Sequence, residues 1–314
     1  MVFVAPFLRA VDVSAYAVIK QQYFSQTNAA TPFALSSNGW AFQAVVFATT
    51  NDVVTNATVT PPSAIVKTLA YSDSTTRRYK ELFNNSNALE TAYPSTTYSV
   101  TMKTVHDGTQ TKSLSFSSFY TYSTVTPQIS NWTSAQQIDS ALPFTLQWSA
   151  LGNSGDIVSL YIGLDDTNGV FYSPDYGAPG ALNGTSTSIV IPAYTLPPGT
   201  NLVGILLIIH AAVLFPDTSY GTGSPGYAKA TIFNLTTRAF LKPTLTLLSR
   251  TGTTNILKLS GESNRTYQIE STTNNLFTNW SSLFTTNLTG TTNQFRYTNT
   301  SSNVRRLYRG KVGP

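Results

Sequence analysis

The chain has 314 residues, too many for one small sandwich and enough for two or three domains that each bury a core. Charged residues make up 11% of it, against roughly 25% in an average soluble protein, while 17 Tyr, 17 Phe and 4 Trp exclude a disordered chain. The net charge of +5 comes from scarce carboxylates rather than from a basic patch, which excludes a dedicated nucleic-acid binder.

The missing charge is replaced by Ser, Thr and Asn, and Thr, Val, Tyr and Phe suit a pleated, half-buried surface. The expected fold is all-β: tandem antiparallel sandwiches with one short helix. Cysteine is absent, which fits large extracellular β-proteins stabilised by core size. Three segments are expected, 1–125, 126–242 and 243–314, each a β-domain, with no residue-level repeat between them.

The first segment opens on an apolar arm, Met1 to Ala10, holding Val2, Phe3, Val4, Phe7 and Leu8. It lacks the basic start and long apolar run of a leader peptide. Pro6 bars the arm from the middle of a sheet but allows an edge, so it reads as a strand for its own domain or for a neighbouring subunit. Trp40 to Phe47 alternates as a strand. Asn87-Ala-Leu-Glu90 reads as a capping box that starts a helix ending at Tyr93-Pro94. His106-Asp-Gly108 between two β-type runs predicts a hairpin.

In the second segment short β-type runs alternate with Gly, Pro, Asn and Ser: Phe144 to Trp148, Asp156 to Ile162, Val170 to Tyr172, Ser186 to Ile191 and Ala228 to Thr236. The apolar run Leu202 to Phe215 is broken by Gly204 and His210, falls short of a membrane span, and reads as a buried strand followed by a turn at Pro216-Asp217. Trp148 in an early strand, the corner Leu196-Pro-Pro-Gly-Thr200 and the closing Thr-rich strand resemble a fibronectin type III or related immunoglobulin-like module. That family usually places Tyr two residues after the corner Thr, where this chain has Leu202.

The third segment carries Arg265-Thr-Tyr-Gln-Ile-Glu270, then Leu276-Phe-Thr-Asn-Trp280, then Arg306-Leu-Tyr-Arg309. This order resembles the small C-terminal β-domain of large secreted bacterial surface proteins. The resemblance implies export and assembly at a surface, and no reaction.

Chemistry has few places to reside. With two histidines and no cysteine, N/S transition-metal sites are not expected, and no cofactor is implied. His210 reads as a satisfied core histidine and His106 as an exposed turn residue. Asp156, Asp165, Asp166 and Asp175 are the densest carboxylates; Asp165-Asp-Thr-Asn-Gly169 reads first as a turn after a strand end, otherwise Asp165 and Asp166 with Asn168 as oxygen ligands for Ca²⁺, or a pair of the four as a glycosidase pair. Trp40 and Trp148 read as core, while Trp132 and Trp280 follow Asn in loop-like contexts and are candidates for sugar stacking. Glycosylation sequons stand at Asn56, Asn84, Asn131, Asn183, Asn234, Asn264, Asn279, Asn287 and Asn299.

The function expected from these residues is an extracellular or cell-surface structural protein, not an enzyme, that assembles with itself. Its partners would be further copies of the chain, with strand donation as one route, and glycans; neither nucleic acid nor a membrane span is expected. The alternative is a carbohydrate-binding or adhesive module, with a glycoside hydrolase third. The scarcity of carboxylates also leads to an expectation of acid tolerance.

Overall fold

A computed structural model describes residues 11–116, 121–165, 168–211, 215–217, 220–273, 279–298 and 306–312. The apolar arm, Asp166, Leu276 and Asn299 lie outside them. The chain is all-β and divides into two compact units. One comprises Met1–Gln136, Thr145–Ile189 and Leu202–Leu235; the other comprises Gln137–Phe144, Val190–Asn201 and Thr236–Pro314.

The strands, in chain order, begin with β1 (Val13–Gln26), β2 (Phe33–Ala34), β3 (Trp40–Ala48), β4 (Val54–Thr60), β5 (Lys67–Thr68), β6 (Ala70–Tyr71) and β7 (Thr76–Phe83). After helix α1 (Ser86–Ala92) come β8 (Thr97–Thr104) and β9 (Gly108–Ser115). Helix α2 (Trp132–Ala135) precedes β10 (Phe144–Gln147), β11 (Ile157–Gly163), β12 (Gly169–Tyr172), β13 (Ser188–Ile191), β14 (Asn201–Ala211), β15 (Phe215–Asp217) and β16 (Gly221–Thr236). The chain finishes with β17 (Thr244–Thr251), β18 (Thr254–Ser260), β19 (Arg265–Thr272), β20 (Ser281–Leu288), β21 (Thr292–Thr298) and β22 (Leu307–Val312).

A ten-stranded sheet runs in the order β12-β11-β14-β16-β1-β3-β7-β6, with β15 added to β16 and β2 to β1. Strands from both of the first two sequence segments therefore share one sheet. They meet where β1 and β16 pair in parallel from Ala15↔Thr222 to Gln26↔Phe233, a departure from the antiparallel expectation. Parallel neighbours need a long crossover, and everything between residues 26 and 221 supplies it.

A second sheet, β5-β4-β8-β9, faces part of the first, and the two form a sandwich. Alternation along β1 sends Val13, Tyr16 and Val18 inward, where they meet Phe42, Ala44 and Val46 of β3 and Ala57, Val59, Tyr98, Val100 and Met102 of the facing sheet. Phe42 stacks on Tyr93 with ring centroids 3.9 Å apart. The predicted hairpin forms: β8 and β9 pair down to Thr104↔Gly108, and Gly108 takes the positive φ of 72° that the turn requires.

Helix α1 begins earlier than its expected capping box. The cap is Asn85, whose extended backbone (φ −151°, ψ 166°) lets its side chain accept from the Ala88 amide at 2.9 Å. Asn87 lies inside the helix, and Glu90 reaches away toward Lys20. A second helix, the one-turn α2, adds to the single helix expected. Asn131 sets the bend before it, its amide donating to Thr145 O at 2.8 Å and accepting from the Gln147 amide at 3.0 Å. Pro216-Asp217 is not a turn but part of β15, where Pro216 pairs with Thr222.

In the second unit, sheets β17-β18-β21 and β20-β19-β22 enclose Leu259, Tyr267, Ile269 and Leu288. The corner Leu196-Pro-Pro-Gly-Thr200 before β14 is held by a threonine, with Leu202 buried just beyond it. Thr237 Oγ1 accepts from the Thr200 amide at 2.9 Å and donates to Pro197 O at 2.6 Å.

Candidate functional site

A cleft of about 490 Å³ in the second unit is lined by Leu142, Tyr194, Asn264, Asn287 and the ionic residues Asp139, Arg238 and Arg265. Arg265, at the start of β19, is 4% exposed. Its Nη2 donates to both Asp139 oxygens, at 2.9 and 2.8 Å, and lies 2.5 Å from Glu262 Oε2. Arg238 bonds the same Asp139 and sits 3.0 Å from Glu262 Oε2. The Phe240 ring covers the Arg265 guanidinium at 4.2 Å.

Charges this far out of water persist only when paired and hydrogen-bonded. Burial pushes the Asp139 carboxyl up, but the Ala141 amide, Arg265 and Arg238 outweigh it and hold it below its ordinary range. Glu262 follows the same logic: burial raises it, and the Leu241 amide together with the two arginines brings it lower. Arg265 Nη1 is buried with no hydrogen-bond partner among the described residues.

This arrangement sets what the cleft can do. A glycosidase acid must hold its proton at working pH, which needs a raised pKa. Both acids here are shifted the opposite way. Tyr194, 42% exposed, and the side chains of Asn264 and Asn287 offer a ring and amides to a polar ligand. Sequence reasoning found Asn264 and Asn287 only as sequons. It missed Asp139, Arg238 and Glu262, which carry no local motif, and gave Arg265, 126 positions from Asp139, only as the start of the run Arg265-Thr-Tyr-Gln-Ile-Glu270.

The remaining candidates are dispersed. Trp280 is half-buried, and Arg309 lies 4.2 Å from its ring, so one stacking face is already taken. Trp132 is half-buried at the start of α2. Trp148 is 2% exposed and donates through Nε1 to Ser186 O at 2.7 Å. Trp40 packs edge-on against Tyr122. Among the sequons, Asn56, Asn84, Asn234, Asn264, Asn279 and Asn287 are exposed. Asn131 and Asn183 are half-buried, and both spend their side chains on local backbone.

Asp165 caps its own turn, accepting from the Asn168 amide at 2.8 Å and from its side chain at 2.6 Å. Asp175 is exposed. Asp156 is 5% exposed and divides its oxygens between the Asn153 amide (2.7 Å) and His210 Nδ1 (2.6 Å). His106 is exposed, with Nδ1 2.8 Å from Asp12 Oδ1.

No family model matches the chain, and no curated protein matches it. Solved structures similar to it include the FN1–FN3 domains of chicken CNTN1, at 12% identity over 87% of this chain and 88% of that one, with a TM-score of 0.22. A tetra-tandem repeat from the extending region of a large adhesion protein matches at 11% identity over 94% and 74%, TM-score 0.22. An ICAM-5 D1–D4 ectodomain fragment matches at 12% identity over 93% and 72%, TM-score 0.25. Scores this low carry no argument, and the all-β sandwich fold rests on the strands and cores described above.

Proposed function

We propose that the chain is an extracellular structural subunit that assembles with itself into a filament, fibre or layer, and that it has no enzymatic activity. The observation that carries this reading is strand β17. It closes one side of its sheet, so its outer row of backbone donors and acceptors has no hydrogen-bonded strand among the described residues, although β22 of the other sheet runs near it. Proteins normally blunt such an edge with charge, proline or a covering element. Here charge and proline stand only at the ends, Pro243 before the strand and Arg250 near its close, while Leu247 and Leu248, at an irregularity in its pairing, are 54% and 45% exposed, with Leu241 nearby at 65%. An open apolar edge is what a donated strand requires. The apolar arm holding Val2, Phe3, Val4, Phe7 and Leu8 is the donor in this reading. Arm and edge are different surfaces, so the contact is heterologous, the kind that builds an open polymer wherever its rotation does not close a ring.

Replacing Leu247 and Leu248 together by lysine tests the acceptor. Polymers of the unaltered chain visible by negative stain, and monodisperse folded particles of the variant, are the expected pair of results. Equal polymerisation of both refutes this edge as the contact.

A carbohydrate-binding or adhesive role is the second reading, favoured by exposed Tyr194 beside Asn264 and Asn287 in the cleft. Glycan-array binding that is lost in Tyr194→Ala supports it, and an array without signal removes it.

A further inference from the structure

Period two along β1 places Lys20 on the inward face with Tyr16 and Val18, and its side chain is 0% exposed. A lysine in that position needs partners, and it has two. Nζ lies 2.6 Å from Glu90 Oε2 and 2.8 Å from Ser95 Oγ. Ser95 Oγ in turn donates to the same Oε2 at 3.1 Å, so three polar atoms close a triangle around one carboxyl. The Phe116 ring stands 5.1 Å from Nζ, and the Tyr227 hydroxyl is 2.9 Å from Ser95 Oγ. Burial pulls the Lys20 amine below its ordinary value, with Glu90 opposing.

We propose that Lys20 and Glu90 form an intramolecular isopeptide bond, made by the protein itself and assisted by Ser95.

The chemistry needs no co-reactant. One proton passes from the Lys20 ammonium to Glu90 Oε2, giving a neutral acid and the neutral amine that the burial of Lys20 favours. The Nζ lone pair attacks Glu90 Cδ. Nζ then gives a second proton to Ser95 Oγ, which passes its own proton to Oε2. The Cδ–Oε2 bond breaks and Oε2 leaves as water with both protons. Nζ keeps one hydrogen, and Oε1 becomes the amide carbonyl. Holding the reacting groups in contact removes the entropic part of the barrier. The product ties the central strand of the large sheet to helix α1, 70 residues on, in a chain with no cysteine to staple it otherwise.

The test is intact-mass measurement and tryptic mapping of the purified full chain. The expected result is a mass one water below that of the sequence, together with a branched peptide joining the segment of Lys20 to that of Glu90. Asp107-Gly108 can also lose water, by closing a succinimide, so the branched peptide is the deciding signal. Lys20→Met and Glu90→Ala should each abolish it. Glu90 is 41% exposed at the surface of α1, so the second variant tests the bond even if the first disturbs the core. In Ser95→Ala the linked fraction should grow more slowly after synthesis. Recovery of Lys20 and Glu90 only in linear peptides overturns the proposal, and an unchanged rate in Ser95→Ala overturns the role of Ser95.

Discussion

The side-chain amide of Gln26 bonds both backbone groups of Ile129: Nε2 donates to the carbonyl at 3.0 Å, and Oε1 accepts from the amide at 2.8 Å. Gln26 ends β1 where that strand runs parallel to β16, and it is 1% exposed. Close by, Thr231 Oγ1 of β16 donates to Pro127 O at 2.6 Å. The chain thus enters its second sequence segment pinned to the two strands that join the large sheet.

Gln26→Ala removes a partner from two buried backbone groups at once. A buried polar group left unpaired costs roughly 1–3 kcal/mol, so a loss of about 2–4 kcal/mol in urea unfolding is expected. An unchanged midpoint would show that water takes over both bonds at no cost.

Trp148→Ala should cost roughly 3–5 kcal/mol, as aromatic truncations in cores do. Trp148→Phe keeps most of the packing but frees the Ser186 carbonyl, so a loss of roughly 1–3 kcal/mol is expected. Equal stability of all three proteins in denaturant would place the indole outside the core.

Acid should weaken the fold through a few identifiable groups. Asp139, Glu262 and Glu270 are held below their ordinary values, each by cations and hydrogen bonds that outweigh burial. Where the folded state depresses a carboxyl, the unfolded chain takes up the proton at a higher pH. The stabilisation is therefore complete above the ordinary values of 3.8 and 4.5, and it is lost as the pH falls from there toward the folded ones. The melting temperature should be level down to about pH 5 and fall toward pH 3. Asp139→Asn should lower it at pH 6 and flatten part of the acid slope. A melting temperature that holds or rises from pH 5 to pH 3 would contradict the assignment. The small number of carboxylates, 14, led to the expectation that the fold survives at low pH, and the depressed values of Asp139, Glu262 and Glu270 lead instead to the fall predicted here.

Much of the fold was legible in the sequence because it is written locally. Alternation marks β3, the Asp-Gly turn marks the β8–β9 hairpin, and Trp148 shares its face with Leu146. What escaped is non-local. Nothing within β1 or β16 announces that they pair in parallel about 200 residues apart, since each reads only as a strand. The capping box at Asn87 was a reasonable local pattern, but Asn85 has the extended backbone a cap needs, and Lys20 claims Glu90. The Asp139, Arg238, Glu262 and Arg265 network lies across chain reversals that no spacing rule encodes. The sequons were legible as motifs, yet only the structure separates exposed Asn56 from Asn131, whose amide is committed to Thr145 and Gln147.

Self-assembly by strand donation is the central claim, and deleting residues 1–10 tests it most directly. The full chain and the truncated chain would be purified, checked for β-sheet content by circular dichroism, and imaged by negative stain at matched concentration. The account predicts ordered polymers of the full chain and folded, monodisperse particles of the truncated one. Normal polymers without the arm, or a full chain that stays monomeric, would contradict it.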